Sequence, residues 1–174
     1  MNSFLKPPEE ASSKSALTDA ADARTIRRNV KVRRMFNPTR DEARNFLFES
    51  WRKYCARELL TPLEDLTAQL IDKHHEYHDL FNDPERNQDK DYAPDGNVVN
   101  PFLHLMMHLT IEEQISIGQP QGIREQFARL TRKYESEHEA QHAIMDCLGE
   151  MIGQAQRNKT APDPAIYLSC LEKQ

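Results

Sequence analysis

Five points in this 174-residue chain carry the chemical signature of a helix start. Thr39 with Glu42, and Ser136 with Glu139, have the spacing of a capping box, in which a hydroxyl accepts from a first-turn amide and the carboxylate reaches back. Thr61-Pro62-Leu63-Glu64 adds a proline at the first helical position, where its fixed φ helps and its missing N–H costs nothing. Asn100-Pro101 and Asp163-Pro164 repeat that combination. Between these starts, apolar residues recur at helical spacing and no strand-like alternation appears. The chain is therefore expected to be all-α, a compact bundle of about five main helices plus a short C-terminal helix.

The first helix starts near 40 with Phe46, Leu47, Trp51 and Tyr54 at helical spacing, and the second runs from 62 through Phe81. The two are expected to form an antiparallel hairpin. Residues 82–99 read as a long polar loop. A third helix, 101 to about 117, is apolar almost all round and is expected to be central and buried. A fourth spans about 123–134, a fifth about 136–157, and a short sixth follows Asp163.

The length suits one domain, read as residues 35–174, with a basic tail before it. Residues 1–34 hold eight Lys/Arg against four Asp/Glu, leaving 15 against 24 for the remainder. The tail is read as a disordered extension or an upstream start site. Nucleic acid is not an expected partner except through this tail, because the body is acidic. No apolar run reaches membrane-span length and no secretory signal is recognisable, so a cytoplasmic location is expected. Cys55, Cys147 and Cys170, odd in number and widely spaced, read as reduced thiols.

The chemistry resides in the histidines. Three pairs stand at i, i+4: His74 and His78, His104 and His108, His138 and His142. Random placement would give roughly a quarter of one such pair. Residues four apart on a helix lie one above the other, so two imidazoles can converge on one ion. His104, His108 and Glu112 form one row, and His138, His142, Asp146 and Glu150 another. These are ligand types for a divalent metal, Zn, Fe or Mn, held inside a bundle. His74 and His78 share a face of the second helix directed at the core. Glu139 and His142 match half of a di-iron Glu-x-x-His pattern, without a counterpart on the third helix.

Wheel arithmetic places His138 and His142 nearly opposite the apolar face of the fifth helix, Ala140, Ile144, Cys147, Leu148 and Met151. Two readings follow. Either they face water, or Gly149 and Gly153 mark a second packed surface where another helix approaches. A shared site requires nitrogens of the third and fifth helices within about 8 Å in an empty, loose arrangement.

The segments MFNPTRDEARNFLFESWRKY, NPFLHLMMHLTIEEQISIGQPQGIR and HEAQHAIMDCLGEMIGQAQR resemble a family of proteobacterial proteins catalogued as domain of unknown function 1841. The resemblance covers Met35 to the C-terminus. It implies a small cytoplasmic helical protein and carries no activity, cofactor or catalytic residue. The expected function is metal binding through His/carboxylate rows, with no reaction assigned. The alternative is a non-catalytic regulatory or scaffolding protein with structural histidines, its helix faces used to form a homodimer.

Overall fold

The structure, a computed structural model, describes residues 39–92 and 99–174. The basic tail lies outside the described residues, as do residues 93–98 of the polar loop. Backbone contacts divide the chain after Glu42, and of the first unit residues 39–42 are described. There the capping box forms: the Glu42 amide donates to the Thr39 hydroxyl and the Thr39 amide to the Glu42 carboxylate.

Among the described residues all regular structure is helical. The elements are α1 (Arg40–Cys55), α2 (Pro62–Lys73), a 3-10 turn (His75–Tyr77), α3 (His78–Phe81), α4 (Pro84–Asn87), α5 (Pro101–Ile117), α6 (Ile123–Tyr134), α7 (Glu137–Asn158) and α8 (Pro164–Lys173). The starts follow their chemistry. Thr61 and Glu64 complete a reciprocal box at α2, and Asn100 accepts from the amides of Phe102 and Leu103 at α5. Asp163 caps α8 through the Ala165 amide. At α7 the Ser136 hydroxyl accepts from the Glu139 amide, the half of the box that the structure shows. Gly118, at φ 70, ends α5 in the left-handed conformation that glycine adopts without a Cβ clash.

Three expectations need correction. The second helix does not run through to Phe81: it ends at Lys73, where His74 leaves the helical region at φ −104 and ψ 69. The polar loop contains a helical turn, α4, because Asp83 caps it through the Arg86 amide and Pro84 presets its first position. The cysteines are not all reduced: Cys147 and Cys170 form a disulfide linking α7 to α8, and Cys55 is free and exposed. Wide spacing along the chain hid a pair that helix packing brings to a Cα separation of 5.6 Å. No helix among the described residues is long and apolar enough to cross a membrane.

Two apolar clusters hold the second unit together. One joins Leu47, Phe48 and Trp51 of α1 to Leu70 and Ile71 of α2, Phe81, and Phe102 and Leu105 of α5. The other joins Ile111 of α5 to Ile123 and Leu130 of α6, Ile144 and Leu148 of α7, and Tyr167 and Leu171 of α8. α5 packs against α2, α6 and α7, and so belongs to both clusters. Its all-round apolarity serves this double role, although Leu103 and Ile117 remain 58% and 60% exposed. His104 and His108 sit on α5 between Phe102 of the first cluster and Ile111 of the second. They mark the seam of the two clusters.

Candidate metal centre

Five imidazoles meet at that seam, delivered by three helices. His74 caps the C-terminus of α2 and is 1% exposed, its ring stacked on Tyr77. α5 supplies His104 and His108 from successive turns, with His108 fully buried. α7 supplies His138 and His142 from its first two turns, both half-buried. One ring nitrogen each from His74, His108, His138 and His142 lies within 4.8 Å of the other three, a group that could hold a metal ion. His104 joins them through its Nε2, 2.9 Å from His74 Nε2.

The hydrogen-bond partners fix where the protons sit. His74 Nδ1 lies 2.7 Å from the Leu70 carbonyl, which only accepts, so Nδ1 carries the proton and Nε2 keeps its lone pair. In the 2.9 Å contact between the two rings, His104 Nε2–H is therefore the donor. His108 Nδ1 faces Gln141 Oε1 at 3.2 Å, and the Gln141 amide nitrogen donates to the Glu112 carboxylate. This second bond holds the amide with its oxygen toward His108. His108 thus donates from Nδ1 and leaves Nε2 bare. His108 Nε2, His138 Nδ1 and His142 Nε2 are buried without any hydrogen-bond partner.

The electrostatics favour neutral rings. Burial pushes His108 down to about 2 and His104 to about 4, with the neighbouring His74 adding to both shifts. Burial also lowers His74, outweighing the Leu70 carbonyl, and lowers His138, with His142 contributing. A neutral imidazole is the form that ligates metals.

The remaining residues read from the sequence are placed as follows. His78, beyond the helix break, lies outside the group: its Nε2 bonds the Ile71 carbonyl at 3.1 Å and its ring packs on Trp51. Glu112 stands one step back, behind Gln141. Asp146 and Glu150 are exposed, because the row beginning at His138 drifts around α7 and away from α5. Of the two readings of α7, the packed surface is the one observed. A Cβ on Gly149 would meet Met107 of α5 at 3.9 Å, whereas at Gly153 the nearest atom belongs to Arg157 of the same helix. Sequence reasoning missed Gln141, which is 3% exposed beside the buried Ala140. A polar residue adjoining the Ala140 face of α7 was the available signal.

Fold and cluster together define a class: a helical protein whose two apolar clusters meet around a centre of five imidazoles. The chain belongs to the family described as Domain of unknown function (DUF1841), whose model matches residues 39–173. No curated protein and no solved structure matches.

Proposed function

We propose that the protein binds one divalent transition-metal ion through His74, His108, His138 and His142. The observation that carries this reading is the convergence of one ring nitrogen from each of the four histidines, with buried nitrogens of His108, His138 and His142 left without a hydrogen-bond partner. A buried polar atom left unpaired costs about 1–3 kcal/mol, and a metal ion removes that cost from several rings at once. The Leu70 carbonyl behind His74 and the Glu112–Gln141 pair behind His108 match the outer-shell partners that orient metal-bound histidines. Imidazole donors without thiolate or carboxylate suit zinc, iron, copper or nickel better than manganese. His104, His138 and His142 are half-buried, which gives an ion a route in from solvent.

Elemental analysis of the untagged protein tests this. One ion per chain is expected after loading and desalting, and His108→Gln or His142→Gln should lose it while keeping the helical signal. Protein that retains no zinc, iron, copper or nickel would overturn the reading and favour a scaffolding role with structural histidines.

A further inference from the structure

We infer that His104 is a fifth ligand of this centre, opposite His138, and that the centre therefore selects five-coordinate ions such as copper(II), nickel(II) or cobalt(II) over tetrahedral zinc. The inference rests on the metal-binding reading and adds a ligand and a metal class to it. Two independent features of the geometry support it.

The first is the spacing of His74 Nε2 and His104 Nε2, 2.9 Å. Nitrogens bound to one ion at about 2.0–2.1 Å stand about 2.9 Å apart at a right angle and about 3.4 Å apart in a tetrahedron. The two nitrogens thus already hold the separation of neighbouring ligands in a shell larger than four. The proton on His104 Nε2 bridges them. Binding an ion requires His104 to move that proton to Nδ1, a tautomer change that alters no net charge, and both nitrogens then present lone pairs.

The second is the pattern of ring contacts. Bonded rings have centroids about 3.2 Å from the ion, hence about 4.5 Å apart at right angles, about 5.5 Å at 120° and about 6.4 Å when opposite. His104 lies 4.8, 4.9 and 5.2 Å from His74, His108 and His142. His138 lies 4.7, 5.3 and 4.3 Å from the same three rings. Those three are 4.8, 5.7 and 5.0 Å apart. Among the described residues no ring contact joins His104 to His138. One separated pair, with every other pair close, is the signature of a trigonal bipyramid with His104 and His138 at its two poles. Zinc in closed protein sites is almost always four-coordinate, whereas copper and nickel accept more nitrogen donors.

Cobalt(II) absorption on the full-length, metal-free protein tests the inference, since five-coordinate cobalt has visible bands several-fold weaker than four-coordinate cobalt. The wild type should show the weak bands at one cobalt per chain. His104→Ala should show the intense bands at the same stoichiometry, and free imidazole should return them to the wild-type form. Intense four-coordinate bands in the wild type, or identical spectra for the two proteins, would overturn the fifth ligand and leave metal binding standing. A wild type that takes up no cobalt, copper, nickel, iron or zinc would overturn both. Should His104→Ala lose its helical signal, X-ray absorption of the cobalt-loaded wild type decides by counting imidazoles, five for the inference and four against it.

Discussion

At the scale of single residues, the centre is defined by which nitrogens lack partners. His108 is the clearest case: Gln141 holds Nδ1, and Nε2 has no hydrogen-bond partner. Replacing Gln141 with leucine removes the acceptor that fixes the His108 tautomer. Outer-shell losses of this kind weaken metal affinity about 10–100-fold, so a competition titration should report a shift in that range with little change in helicity. The low proton affinity of the rings sets a second expectation, for the metal-free protein. His104 and His108 fall from 6.5 in the unfolded chain to about 4 and about 2 when folded. Between those values the unfolded state binds more protons than the folded one, so stability rises with pH there. The contribution is complete above about pH 6.5 and is lost as pH falls through 4 toward 2. Urea midpoints at pH 7.5, 6 and 5 should decrease in that order; a flat series would contradict neutral buried rings.

At the scale of elements, local chemistry wrote most boundaries into the sequence. The Thr61-Pro62 and Asn100-Pro101 starts act within four residues, and both appear where their side chains dictate. Asn100→Ala should therefore destabilise the protein by about 1 kcal/mol, read as a lower urea midpoint at unchanged slope. The break after Lys73 was not legible, because HHEYH contains neither proline nor glycine and its apolar spacing continues to Phe81. What ends α2 is tertiary: the His74 ring is held against Tyr77 and the α5 and α7 histidines. The same limit hid the Cys147–Cys170 disulfide, a pairing set by how α7 and α8 pack. Denatured, unreduced protein should show one reactive thiol, Cys55, and three after reduction. Closing a loop across 23 residues is worth about 3 kcal/mol, so Cys170→Ser should unfold at markedly lower denaturant concentration.

At the scale of the second unit, the histidines occupy the junction between two apolar clusters that share only α5. The i, i+4 pairs on α5 and α7 announced which rings on one helix could act together, but spacing left open whether the two pairs meet. The direction of His138 and His142 was not, since a helix wheel cannot tell a wet face from one covered by a neighbouring helix. An ion at this junction would tie α2, α5 and α7 together, and ligand bound only to the folded state stabilises it by about 2.7 kcal/mol at a hundredfold excess over Kd. The melting temperature should accordingly rise with metal and return on chelation. Whether these imidazoles surround one ion is decided by a crystal structure of metal-loaded protein with anomalous data at the metal edge. A single strong peak is expected, with nitrogens of His74, His108, His138 and His142 at about 2.0–2.2 Å. The absence of a peak between those four rings would contradict the shared ion.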